Sequence, residues 1–182
     1  MHASQRRRFT PEEYLLVENQ AEYKSEYYDG EIYAMAGASY RHTEIVGNLF
    51  AFFRQALKGS DCKPLMLDVR VKSWQAYTYP DIVIVCGPPQ FADEYDTLTN
   101  PTLIVEVLSD STEKTDRTIK FERYKTIESL QEYLLVAQNE PGFELFRRAD
   151  AGWIQTASSD SVTLASLNIK LERAAAYEDI SF

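Results

Sequence analysis

Two acids interrupt runs of residues that are otherwise apolar. Asp81 heads Ile82-Val83-Ile84-Val85-Cys86, and Glu106 lies inside Thr102-Leu103-Ile104-Val105-Glu106-Val107-Leu108. A carboxylate among strand-core side chains needs a cation or a proton, because burial disfavours its charged form. One reading is a structural ion pair or an exposed strand end. The other is a pair of carboxylates on neighbouring strands holding a hard divalent cation. Mg²⁺ takes one or two carboxylates together with waters and phosphate oxygens, the donor set of metal-assisted phosphodiester hydrolysis. Strand parity puts residues 106 and 108 on one face and 107 on the other. A lysine at 108 would share a metal-bound water with Glu106, but the residue there is Leu108. Lys120, on the following helix, is the nearest lysine with suitable placement, with Asp116 and Tyr124 one turn to either side. Arg117 and Arg123 lie on or beside that face. They form a basic strip able to meet a phosphate, or else ordinary ion pairs on a solvated helix face.

Elements must hold these residues in place. Thr10-Pro11-Glu12-Glu13 carries a helix start, with Thr as N-cap, Pro at the first position and acids in the first turn, and the helix runs to about Asn19. Tyr27 to Tyr33 reads as a hairpin about Asp29-Gly30. Ile45, Leu49, Phe52, Phe53 and Leu57 recur at helical spacing between Tyr40 and Lys58, and Gly59 closes that helix. Leu65 to Val71 alternates as a half-buried strand, with Asp68 and Arg70 on one face as an ion pair. The two apolar runs from Asp81 and Thr102 suit strands covered on both faces. Between them lies a loop containing Asp93, Glu94 and Asp96. A helix from Glu113 to Ile127, started by Asp110, Ser111 or Thr112, precedes a strand from Glu132 to Ala137. A hairpin of Phe143–Arg147 with Trp153–Thr156 and a last strand Ile169–Glu172 complete the order. This alternation predicts an α/β (mixed α+β) chain with a mixed sheet and helices packed on it.

Composition bounds the rest. The chain has 182 residues, 45% hydrophobic and 26% charged, which predicts one soluble domain spanning 1–182 and excludes disorder, collagen and coiled coil. Acids outnumber bases 28 to 19, for a net charge of −9, so a broad basic face for non-specific DNA binding is not expected. Two cysteines, Cys62 and Cys86, lie far apart without a CxxC pair, which argues against a disulfide framework and fits a reducing cytoplasm. Two histidines, His2 and His42, are too few for a histidine zinc site. The Arg6-Arg7-Arg8 run reads as a DNA contact or as a terminal arm. No signal peptide and no apolar run of membrane-spanning length is expected.

These residues carry a resemblance. Tyr79-Pro80-Asp81, Glu106-Val107-Leu108-Ser109 with Ser111-Thr112, and Asp116-Arg117-x-x-Lys120 with Tyr124 resemble the Uma-two family of restriction endonucleases, within the PD-(D/E)XK nuclease superfamily. Tyr27-Tyr28-Asp29-Gly30-Glu31, His42 and Glu132-Tyr133-Leu134-Leu135-Val136 match as well, so the similarity covers about residues 10 to 137. The resemblance implies a restriction-endonuclease-like fold, with a central mixed β-sheet flanked by helices, and a metal-dependent endonuclease acting on DNA. Carried over, Asp81, Glu106 and the Val107 backbone carbonyl would bind Mg²⁺ or Mn²⁺. Lys120 would stand in for the lysine that the superfamily places where Leu108 is, orienting the attacking water and stabilising developing charge. Glu44 is a candidate for a further acid from the first core helix, with Glu31 and Glu26 from the hairpin as alternatives. His42 is a further candidate, against a capping role, and Arg117 is the candidate substrate contact. A homodimer is expected where both strands are cut. Two rivals remain: a catalytically inactive nuclease-fold binding module, and a metal-dependent hydrolase of small phosphoesters.

Overall fold

A capping box opens the first helix, α1 (Pro11–Glu18): Thr10 accepts from the Glu13 N–H, and the Glu13 carboxylate accepts from the Thr10 N–H at 3.0 Å. The computed structural model describes residues 7–182, so His2 and Arg6 lie outside the described residues. Strands β1 (Ser25–Tyr28) and β2 (Glu31–Ala34) pair antiparallel about Asp29-Gly30, whose φ values of 48° and 97° are those the tight hairpin turn demands. Helix α2 (Tyr40–Ala56) starts at Ser39, which accepts from the His42 N–H, and buries Ile45, Val46, Leu49 and Phe53.

The segment expected as one strand from Leu65 to Val71 is two. Strand β3 (Cys62–Met66) ends at Leu67 and Asp68, which hold φ values of 58° and 50°, and β4 (Val71–Ser73) begins a different sheet. Alternation survives on either side of such a turn, so the pattern alone does not reveal it. Asp68 and Arg70 therefore share no strand face. Arg70 instead bonds Thr97, Asn19 and Tyr79.

Then follow β5 (Ala76–Thr78), β6 (Ile82–Cys86) and β7 (Leu103–Leu108). The predicted second helix is a continuous helical segment made of α3 (Glu113–Thr115), a widened π-helical turn (Asp116–Lys120) and α4 (Phe121–Tyr124). Beyond it come β8 (Glu132–Ala137), β9 (Phe143–Ala149), β10 (Gly152–Ser158), β11 (Ser161–Leu164), β12 (Ile169–Glu172) and α5 (Arg173–Ala176). The main sheet has six strands in the order β10-β9-β8-β7-β6-β3, antiparallel except for β7–β8, which the helical crossover joins in parallel. A second sheet of four strands, β2-β1-β5-β4, is antiparallel, and β11–β12 form a small ribbon. The fold class is thus a mixed α/β one, with a mixed central sheet and helices. No helix among the described residues is long and apolar enough to cross a membrane.

Strand β7 shows how the sheet is covered. Leu103, Val105 and Val107 belong to the core under α2, with Leu49 and Phe53, while Ile104 and Leu108 pack with Tyr124, Ile127 and Leu130 on the opposite face. Leu108 is thereby a core residue, and Glu106 projects to the same face as Leu108.

One feature ran against expectation. Cys62 and Cys86, far apart in sequence, stand opposite each other in the β3–β6 register and form a disulfide. Glu132, fully buried, accepts from Arg147 at 2.8 Å and from the N–H groups of Ala165 and Ser166 at 3.0 and 3.1 Å, so it ties the sheet to the β11–β12 ribbon. Leu134, wholly buried in the middle of β8, should cost about 2–5 kcal/mol when truncated to Ala. The urea midpoint should fall correspondingly with an unchanged m-value; a midpoint within error of wild type would contradict the packing described.

Candidate active site

Strands β6 and β7 pair only over Ile82–Ile84 and Leu103–Val105. Continuing that register would set Pro80 opposite Val107, and proline has no N–H to give the ladder. The strands part there, and the Asp81 carboxylate fills the gap, its Oδ2 accepting the Val107 N–H at 2.7 Å. The Asp81 N–H in turn lies 3.4 Å from Glu106 Oε2. The two acids singled out by the sequence are therefore adjacent at the point where the sheet opens. His42, from the first turn of α2, places Nε2 3.2 Å from Asp81 Oδ2, and the Val107 backbone carbonyl acts electrostatically on the same ring.

Glu106 faces the helical segment. Its Oε1 accepts from Lys120 Nζ at 3.1 Å and from the Tyr124 hydroxyl at 3.0 Å. That hydroxyl is also 3.0 Å from Thr78 Oγ1, so with one proton it donates to the carboxylate and accepts from Thr78. Lys120 Nζ reaches Glu26 Oε1 at 3.2 Å and Asp116 Oδ1 at 3.1 Å. The Asp116 contact is an ion pair without hydrogen-bond alignment, and this buried oxygen has no hydrogen-bond partner. Glu26, on β1, is held from behind by the Tyr79 N–H at 3.2 Å and the Tyr28 hydroxyl at 2.7 Å. Both ends of the π-helical turn, Asp116 and Lys120, are buried, and their four-residue spacing sets the acid and the lysine on one face of the helical segment.

Charge does not balance here. Glu26, Glu106 and Asp116 surround Lys120, and Asp81 stands beside Glu106. One lysine cannot neutralise them. Burial pushes the pKa of Glu106 well above the carboxyl range; Lys120 opposes this, and Asp116, Asp81 and Glu26 add to it. Burial likewise raises Asp116 against the pull of Lys120. For Lys120 burial acts downward, but Glu106, Glu26 and Asp116 outweigh it and hold the ammonium well above its ordinary value. His42 follows the same pattern: burial lowers its pKa, and Asp81 with the Val107 carbonyl raises it further than burial lowers it.

The surplus of buried negative charge beside Asp81 and Glu106 is what a further cation would satisfy. Two carboxylates and a backbone carbonyl suit Mg²⁺, which keeps several waters. Among the described residues no group of three or more His, Cys, Asp or Glu is arranged as a metal cage, so the donor set fits the ion only as a two-carboxylate site completed by water and substrate.

The structure brings Asp81, Glu106, Val107, His42 and Lys120 together with Glu26, one of the two hairpin alternatives, and it adds Asp116 and Tyr124. It leaves three other candidates elsewhere. Glu31 pairs with the Tyr33 hydroxyl, Glu44 interacts with the Tyr40 hydroxyl, and Arg117 is held by Glu113 at 2.8 Å and by Glu144. Spacing could have singled out Asp116, four residues from Lys120 on one helical segment. Glu26 carried no local signal, since only the packing of β1 onto the helical segment distinguishes it from Glu31.

A family model described as "Putative restriction endonuclease", Uma2, matches residues 11–176. The chain belongs to the Uma2 family. It is similar to two Synechocystis sp. proteins, both described as uncharacterized. One is 37% identical and covers 96% of this chain and 94% of its own length; the other is 37% identical over 81% and 85%. A crystal structure titled as "a putative nuclease belonging to DUF820" from Anabaena variabilis superposes with a TM-score of 0.76 at 17% identity, over 92% of this chain and 97% of that one. The Uma2 chain therefore shares that protein's fold.

The excess acid in the cluster has a measurable consequence. Folded Glu106 binds its proton more tightly than the unfolded chain does, so the linked stability is fully present below the ordinary carboxyl pKa and is lost as pH rises through the raised value. Glu106→Gln mimics the protonated form. In metal-free buffer at pH 8 it should stabilise the fold by on the order of 1 kcal/mol, about 2–4 °C in Tm, with the gap closing toward pH 5. Equal melting temperatures at pH 8 would mean that the cluster is already neutral.

Proposed function

We propose that this Uma2 chain, acting as one domain, is a divalent-metal-dependent endonuclease that hydrolyses DNA phosphodiester bonds. The observation that carries the reading is the convergence of Asp81, Glu106 and Lys120 at the opening between β6 and β7, with more acid buried there than Lys120 can balance. Family membership supports it, since the family description names a restriction endonuclease.

Asp81, Glu106 and the Val107 carbonyl would hold Mg²⁺ or Mn²⁺. When bound, the ion supplies an acidified water and neutralises charge on the scissile phosphate. Every other role falls to the chain. Lys120 and Tyr124 both occupy Glu106 Oε1, which leaves Oε2 as the oxygen turned toward Asp81. Lys120 stays protonated over the whole working range, so it serves as a fixed positive charge and not as a proton acceptor. A preorganised cation of this kind stabilises charge that develops on a phosphate in the transition state. His42 holds Asp81 Oδ2 from the α2 side at 3.2 Å, which fixes that oxygen before substrate arrives.

Two copies related by a two-fold axis would let the protein cut both strands. The binding-module alternative gains support from the complete pairing of Lys120 with protein carboxylates.

Plasmid relaxation in Mg²⁺ or Mn²⁺, run beside calorimetric metal titration on wild type, Glu106→Ala and Lys120→Ala, separates the two. Wild type should bind metal and nick DNA, and Glu106→Ala should do neither. Lys120→Ala should lose roughly 10²–10³-fold in rate, the usual cost of removing one preorganised transition-state donor. A wild type that takes up no metal even with DNA present would leave Asp81 and Glu106 as structural groups and end the nuclease reading. Cleavage of small phosphodiesters with intact plasmid would reassign the substrate.

A further inference from the structure

The turn between β4 and β5 is Trp74-Gln75, a two-residue hairpin connection. Trp74 has φ of +31° at the first central position, where glycine is the ordinary residue because a side chain there is strained. The side chain is nonetheless the largest the code offers, and it is 63% exposed. Neither local conformation nor the core accounts for it.

Its surroundings point to a ligand. The Arg123 guanidinium lies over the indole at 5.1 Å and is held in place by the Asp29 carboxylate. Arg8 donates to the Asp29 backbone carbonyl at 3.4 Å, and the Asp29 N–H donates to the Gln75 carbonyl at 3.1 Å, so the two hairpin tips are locked together. An indole and two arginines thus share one rim of an otherwise acidic chain. That rim belongs to the candidate site's own elements. Arg123 directly precedes Tyr124, which bonds Glu106, and Trp74 lies four residues from Thr78, about 13 Å along the strand at the usual rise.

We infer that Trp74, backed by Arg123, is a stacking finger for unpaired nucleobases, and that the strand entering the site is single-stranded DNA or a frayed end. This rests on the nucleic-acid reading of the site. A chain of net charge −9 gains little from phosphate contacts overall, whereas stacking of a base on an aromatic ring is sequence-tolerant and needs no charge. Arginine over the ring adds a cation–π contribution to the same face cluster.

The chain has two tryptophans, so Trp153→Phe leaves Trp74 as the sole indole reporter. In EDTA, an oligo-dT 20-mer should quench the fluorescence of this protein. Read by the anisotropy of a fluorescein-labelled oligo-dT, Trp74→Ala should bind roughly 5- to 100-fold more weakly, about the cost of one base–aromatic stack. Trp74→Phe should stay within a few-fold of wild type. An abasic oligomer of equal length should bind wild type and Trp74→Ala alike. Unchanged affinity in Trp74→Ala, equal binding of the abasic and oligo-dT strands, or no binding of oligo-dT by wild type would each overturn the inference. Quenching by a protein that never nicks plasmid would keep the finger and remove the nuclease; nicking with unchanged Trp74→Ala affinity would do the reverse.

Discussion

One lysine buried among three carboxylates is the interaction on which the molecule turns. Lys120 meets Glu26 from the four-stranded sheet, Glu106 from the six-stranded sheet and Asp116 from its own helical segment. An ammonium so deep in the protein survives only because acids arrive from three directions, and those acids survive there only because of the ammonium. Removing the lysine leaves three acids without compensation, whereas removing one acid relieves part of the excess. The tyrosines around it, Tyr28 and Tyr124, spend their hydroxyls on the same carboxylates, so the network extends into both sheets through polar contacts as well as charge.

The backbone serves this meeting point. Pro80 ends the β6–β7 ladder one step early, and the freed Val107 N–H is what Asp81 answers. The crossover from β7 to β8 must run in parallel, so a helical segment is obliged to lie over the face that carries Glu106. Asp116 and Lys120, four residues apart at the two ends of the π-helical turn, are both buried there. The apolar covers on the two faces of β7 are ordinary, with Leu103, Val105 and Val107 under α2 and Ile104 and Leu108 under the helical segment. Glu106 is the exception they enclose.

Much of this was readable from residue order, and what was not has a physical reason. The cap at Thr10, the Asp29-Gly30 turn and the two buried strands are local signals, set by contacts within a few residues. Asp81 and Glu106 stood out because each breaks an apolar run, and Lys120 as the nearest lysine on the following helix. The long-range facts were hidden. Nothing near Glu26 says that β1 will pack under the helical segment, and Glu31 and Glu44 look as eligible by type. The turn at Leu67-Asp68 was invisible because alternation continues across it, and the pairing of Cys62 with Cys86 depends on a register between strands 24 residues apart. Arg117, eligible by position on the helical segment, is drawn off by Glu113 and by Glu144 from β9.

Strand β3 stands at one end of the six-stranded sheet, with one side of its backbone open. Open strand edges recruit further strands and lead to aggregation unless something blunts them. Here Pro64 removes an N–H from the middle of β3, Lys63 places a charge next to it, and the Cys62–Cys86 link fastens the strand to β6. The edge is thereby a poor template for sheet extension. A continuous sheet running from β3 of one copy into β3 of another is disfavoured by composition.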